Sequence, residues 1–483
     1  MGMVSSISLG VLLGVAVSQN AISAADDEPP APTPDDGLDR PNPTAGKSSA
    51  VEYCFEWNVA TLAGDYEKVG RRNPSWDKKV LETLSLFAQS RSRKGDAQQL
   101  SAGFEKAVKE AIAAGCDDPL INYLHARFAA GVAARASKEG AQVHVHAAEG
   151  LERSKYAEVR KFYGCLRAAE ALRSASKSQT NTPPEVHQFR RSALNHLVAV
   201  LNDKRTPIEE VHDACRELMG EVERNKKQLE EFYFAIEKPL FANWPQEALA
   251  LLIKGNFYIK HAWKARGKDY ADKVTEEGWK LFFERLTEAE KALEKAWSLD
   301  PTIEQIALSM MTVELGQGKG RERMEMWFDR AMRLNSNSFS ACSHKLYYLE
   351  PKWHGSPEAM LKFGRECVNS AEWGGRVPMI LAEAHYSLAS YLPAKERKEK
   401  EYWKRPGVWK DVKASFDKFF EKYPDALGYR HNYARYAYWC EQWDDLNKQL
   451  GLMGPVNYDY FGGKMEFEKM VKLAKERSGG SPK

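Results

Sequence analysis

Two stretches of this chain end amphipathic helices at the same interval. Ala292-Leu-Glu-Lys-Ala296-Trp-Ser-Leu-Asp-Pro301 and Phe328-Asp-Arg-Ala331-Met-Arg-Leu-Asn-Ser336 each read as a helix tail, a polar stop and the start of another helix, with Ala296 and Ala331 standing 35 residues apart. The beat continues, because Val368-Asn369 follows Leu334-Asn335 by 34 residues. One helical hairpin cannot bury its own apolar face, so a period of this length predicts hairpins stacked on their neighbours. The expected fold class is therefore all-α: an α-solenoid of antiparallel helical hairpins, with no substantial β-sheet.

Helical spacing runs through the rest of the chain. Val80, Leu81, Leu84 and Phe87 share one face, as do Phe104, Val108 and Ile112, and Asp117-Asp118-Pro119 then offers a cap followed by a proline suited to a first turn. Further helical patterns span 156–172, 186–201 and 208–222. From Trp244-Pro245 the repeat sharpens. A long helix from Thr275 reaches Leu299, Pro301 is expected to open the next one, and Met324, Trp327, Phe328, Ala331 and Met332 form a single core stripe. A hairpin of 338–349 with 357–368 follows. The segment 467–474 is expected to cap the array, since an end repeat has no neighbour over its apolar face. The resulting division is a leader over 1–25, a Pro/Asp-rich disordered linker over 26–48, degenerate helical repeats over 49–241 and clearer repeats over 242–483.

Some of these residues carry a family resemblance. Ala289, Ala296 and Pro301 stand at the spacings of the small residues and terminal proline of a second repeat helix, so Ala289–Pro301 resembles that element of a tetratricopeptide repeat; the next copy has Ser336 in place of proline. His261-Ala-Trp-Lys-Ala-Arg-Gly267, Glu277-Gly-Trp279, Glu314-Leu-Gly-Gln-Gly318, Met324-Glu-Met-Trp-Phe328 and Tyr348-Leu-Glu-Pro-Lys-Trp-His-Gly-Ser356 together resemble a bacterial family of tetratricopeptide-like proteins known as a domain of unknown function. The resemblance covers about residues 244–368. It implies an exported or envelope-associated helical-repeat protein, and brings no reaction or catalytic residue with it.

The address is read from the N-terminus. Ile7–Val17 is an apolar run of leader length, and Ser23-Ala24-Ala25 supplies small residues for cleavage, although the preceding segment has no Lys or Arg. The run is too short to span a bilayer, which needs about 20 apolar residues. The expectation is export, with a periplasmic or extracellular mature chain that has no transmembrane span. Net charge is only +3, from 70 basic and 67 acidic residues spread along 483 positions, which argues against nucleic acid as the main ligand. The seven cysteines are scattered without a CxxC, so neither a zinc finger nor a thioredoxin-type pair is indicated. In an oxidising compartment some would be free to pair; most sit among apolar helix residues and read as small hydrophobes.

Each candidate for chemistry has a structural explanation beside it. His144-Val145-His146 would aim both imidazoles at one metal on a strand, but it lies in a Gly/Ala-rich joint between helices, without a nearby carboxylate constellation. Gly316-Gln-Gly-Lys-Gly320 has phosphate-loop composition without the required spacing or a preceding strand, and reads as a hairpin turn. The loop Glu350–Ser356 places Lys352, Trp353 and His354 together, either to touch a ligand or to plug a gap while Ser356 caps the next helix. His261 and Arg266 sit beside Trp263, which spacing assigns to the core with Trp279. Lys395–Arg405, with six basic and three acidic residues, reads by default as a solvated linker. No catalytic residue, metal or cofactor is assigned. The expected function is a scaffold binding a protein or peptide of the cell envelope, with Trp353, His354, Lys352, His261 and Arg266 as binding candidates. The alternative is a hydrolase-like α-helical enzyme with a cleft around His261, Arg266, Lys352 and His354; a purely structural spacer is a third view.

Overall fold

Polar caps and glycines set the helix ends. Asp118 accepts from the backbone N–H of Leu120 and Ile121, with Pro119 first in the helix Pro119–Leu124. Thr275 caps Glu276–Leu299 through Gly278, Ser338 caps Phe339–Tyr348 through Ala341, and Ser356 caps Pro357–Asn369 through Ala359 with Pro357 at the first position. Each cap satisfies a backbone donor that the helix itself leaves without a partner. Pro301 does not open a helix. It lies in the turn, and the next helix starts at Glu304.

The computed structural model describes residues 48–478, apart from 93, 95–96, 130–136, 177–181, 224–225 and 268–270. The leader and nearly all of the spacer expected over 1–48 lie outside these residues. Among the described residues the protein is all-α, with no strand. Helices pack on their neighbours in sequence, as a solenoid-like arrangement of hairpins requires. None of them is long and apolar enough to cross a membrane.

The chain forms two compact units that divide between Pro301 and Thr302. In the first, Asp77–Arg91 pairs with Ala97–Ala113, Lys138–Glu152 with Glu158–Ala175, the latter with Pro184–Leu201, and Ala248–Arg266 with Glu276–Leu299. One continuous core runs from Leu62 through Leu84, Phe162, Leu197 and Phe232 to Phe257. The change of character expected at 241/242 falls inside this core. In the second unit, Glu304–Gln317 pairs with Arg321–Leu334, and Leu427–Trp439 with Trp443–Leu452. The last helix, Lys464–Arg477, buries Met470 and Ala474 against Ala434, Ala437 and Leu446.

The hairpin expected between 338–349 and 357–368 is rearranged. Phe339–Tyr348 lies against both helices of the preceding hairpin, and Pro357–Asn369 pairs instead with Ile380–Ser390. Gly364 explains the second pairing, since a Cβ there would stand 2.8 Å from the Leu381 Cα. The linker expected at 395–405 is also folded. Tyr402 and Trp403 are buried, and the Trp403 ring lies 5.0 Å from Tyr436 and 5.1 Å from Trp439. Two large aromatic rings bury more apolar surface than the neighbouring charges can hold in water.

The Gly364 contact sets up a stability test. An added methyl there meets backbone, which cannot rotate away; overpacking of this kind costs about 1–3 kcal/mol, against roughly 1 kcal/mol gained in helix propensity. Gly364→Ala should therefore lower the thermal midpoint. Gly428, also helical but with nothing within 4 Å of such a Cβ, should tolerate alanine without loss. Equal midpoints for the two variants would contradict the close approach.

Candidate functional site

The loop after Phe339–Tyr348 is held from within. Glu350 is buried, and its carboxylate accepts from Ser387 Oγ at 2.7 Å, Tyr391 OH at 3.0 Å and Lys352 Nζ at 2.6 Å. Lys352 also lies 4.3 Å over the Tyr347 ring. The half-buried Trp353 packs near Tyr347, with ring centroids 5.8 Å apart. His354 Nε2 stands 3.0 Å from the Leu315 carbonyl oxygen, and its ring rests 4.5 Å from Tyr348. Gly355 makes the turn possible, because a Cβ there would fall 2.1 Å from the Leu349 carbonyl oxygen. The cluster therefore clamps the loop onto the preceding hairpin, and Ser356 then caps the helix that follows.

His261 and Arg266 belong to the first unit, and Lys352 and His354 to the second. His261 Nε2 lies 2.8 Å from Glu230 Oε1, and its backbone carbonyl accepts from Arg285 at 2.9 Å. The Arg266 guanidinium stacks over Trp263 at 5.7 Å and Trp279 at 5.4 Å. Both indoles also meet Phe282, at 5.0 and 5.7 Å. Within each unit these side chains join helices to one another.

Other polar readings resolve in the same way. The joint expected at His144–His146 is instead part of the helix Lys138–Glu152, where positions two apart face away from each other; His144 is accordingly buried and His146 exposed. Gly318 is left-handed at φ +63°, ending one helix before Arg321 begins the next, so the glycine loop is a hairpin turn. All seven cysteines are unbridged, six of them buried. Among the described residues, the metal-type donors that do meet are Glu152, Cys165 and His196, with ligand atoms within 4.8 Å of one another.

One constellation, with His385, Tyr402 and Asp411 buried and Arg365 exposed at its edge, has no counterpart among the sequence candidates. His385 bridges Tyr402 OH, 2.8 Å from Nδ1, and Asp411 Oδ2, 3.2 Å from Nε2. Arg365 donates to both Asp411 oxygens, at 2.7 Å for the shorter bond to Oδ2. Burial alone would raise the Asp411 carboxyl; the hydrogen bonds from His385 and Arg365 outweigh it and bring it down to about 2. Burial pushes the Tyr402 phenol up to about 12. A phenol held protonated in the interior is a poor nucleophile, and the group acts as a lock between helices. No spacing rule links residues 365, 385, 402 and 411.

The surface offers a different kind of feature. An open depression of about 680 Å³ follows one helix face and is lined by Arg321, Glu322, Glu325, Met326, Asp329, Arg330 and Arg333. A second, about 530 Å³, is bordered by Glu396, Glu401, Lys404, Arg405 and Pro406. No protein-family model matches this chain, and no curated protein matches it in sequence.

The Asp411 lock predicts an acid dependence. A carboxyl whose folded value lies below the unfolded one stabilises the protein above about pH 4, and that contribution fades as pH falls toward 2. Wild type should lose stability over this window, while Asp411→Asn should start less stable at pH 7 and show a shallower acid loss. Parallel chemical-denaturation curves from pH 7 to 2.5 measure both; identical slopes would contradict the assignment.

Proposed function

We propose that this chain is an exported scaffold that binds a protein or peptide segment of the cell envelope. The observation carrying this reading is the open face of Arg321–Leu334. Basic and acidic side chains alternate around Met326, which is 38% exposed. A flat, charged face with a flexible apolar side chain suits a partner surface; small substrates are usually enclosed in a concave, largely apolar site. Hairpin arrays favour the same use, since they set successive helix faces side by side for extended contacts. The apolar run Ile7–Val17 and the small residues Ser23–Ala25 support the export half of the proposal.

Affinity capture from envelope extract, using the mature chain from about Asp26, tests the binding half. Wild type should recover one reproducible partner. The surface variant Met326→Glu/Arg333→Glu, at two exposed positions, should reduce recovery about tenfold or more, as loss of a central contact does, without changing the far-UV circular dichroism. Undiminished recovery by the variant would reject this face. No enrichment by wild type would reject the scaffold reading.

A further inference from the structure

Three helices of the first unit bring a thiol, an imidazole and two carboxylates to one point. Glu152 ends Lys138–Glu152, while Glu158, Lys161 and Cys165 lie on one face of Glu158–Ala175 at positions i, i+3 and i+7. His196 comes from Pro184–Leu201. Glu152 Oε1 accepts from Cys165 Sγ at 3.0 Å and lies 2.7 Å from His196 Nε2. The other ring nitrogen, Nδ1, stands 2.5 Å from Glu158 Oε2, and Lys161 donates to Glu158 Oε1 at 3.1 Å.

We propose that Glu152, Cys165 and His196 form a binding site for a divalent transition-metal ion of the zinc class. Thiolate, imidazole and carboxylate are the donors zinc takes, whereas calcium and magnesium select oxygen alone. The arrangement beyond the donors supports the choice. Glu158 holds Nδ1 and so directs Nε2 toward Glu152 and Cys165, the carboxylate–histidine pairing that orients metal-bound imidazoles. Lys161 occupies the far oxygen of Glu158 and keeps that residue in its orienting role.

The two Glu152 pairs need little movement to admit the ion, and all three ligand atoms already lie within 4.8 Å of one another. Tetrahedral zinc with bonds of about 2.0–2.3 Å separates O and N donors by roughly 3.4 Å, and O and S donors by roughly 3.6 Å. The observed pairs must therefore open by somewhat over half an ångström. Glu152 is the side chain that can yield, being 35% exposed at the helix end, while His196 is 13% exposed and Cys165 is fully buried. The ion would enter past Glu152, leaving the fourth coordination position toward solvent for water. On binding, the Cys165 S–H proton and the His196 Nε2–H proton both leave to solvent as the sulfur–metal and nitrogen–metal bonds form, while Nδ1–H keeps its contact with Glu158.

Cobalt(II) titration of the reduced, chelator-treated full chain tests the site, because a cobalt–thiolate bond produces a charge-transfer band in the near ultraviolet. Wild type should show this band at one equivalent and lose it to added zinc. Cys165→Ser should abolish the band, and His196→Gln and Glu152→Gln should weaken binding at least about tenfold. Glu158→Gln should weaken it about 10–100-fold, as loss of an orienting partner does. Cys116→Ser, at a buried cysteine outside the cluster, should bind as wild type. Thermal unfolding without metal checks that each variant folds; the partly exposed Glu152 keeps the test valid if Cys165→Ser does not fold. No thiolate band in wild type, or equal affinity in Glu152→Gln and wild type, would overturn the site.

Discussion

How closely two helices can approach governs this fold. Helices packed at ordinary distances tolerate a Cβ everywhere along the contact. Here the interior glycines Gly164, Gly255 and Gly364 stand where a Cβ would come within 3 Å of a neighbour: Leu151, Leu293 and Leu381 respectively. In each case the glycine lets a leucine of the facing helix press against backbone. The hairpins Lys138–Glu152/Glu158–Ala175, Ala248–Arg266/Glu276–Leu299 and Pro357–Asn369/Ile380–Ser390 all carry this feature. Glycine lowers helix propensity by about 1 kcal/mol, so its use inside three helices reflects packing gained at the crossings.

Buried ionic groups then specify which helices meet. In the first unit, Arg91 donates to both Tyr163 and Glu210 at 2.8 Å, and Tyr163 donates to Glu210 at 2.7 Å. Glu221 receives both Arg173 and Arg190. Arg160, almost fully buried, donates to Asn58 at 3.0 Å and Thr61 at 2.7 Å and lies against Trp57. Removing one partner of such a buried pair costs about 3–5 kcal/mol, because the other charge is left without compensation. These groups join residues about 30 to 120 positions apart in the chain. They penalise any register in which the helices slip. The Asp411 group plays the corresponding part in the second unit.

The candidate sites show what spacing conveys and what it leaves out. Ser356 before Pro357 announced a cap, and the glycines at 316–320 announced a turn, because both are local chemistry read within a few residues. Lys352, Trp353 and His354 share one loop with Glu350, while their other partners Tyr347, Tyr348 and Leu315 lie on the helices Phe339–Tyr348 and Glu304–Gln317. The His144–His146 spacing drew attention as a metal motif, but a helix turns the two rings apart. Glu152, Cys165 and His196 carried no signal, since each is an unremarkable residue of its own helix.

From the sequence alone followed the all-α class, the hairpin tempo, most helix limits and the apolar stripes, including Met324 to Met332. These are properties of neighbouring residues, set by periodicity, capping and proline geometry. Tertiary structure alone decided that Pro357–Asn369 pairs with Ile380–Ser390, that Tyr402 and Trp403 are buried in a charged connector, and that a thiol, an imidazole and a carboxylate converge. Each depends on side chains brought together from distant helices. Such encounters are selected by steric fit and by the cost of unpaired buried charge, and neither leaves a period in the chain.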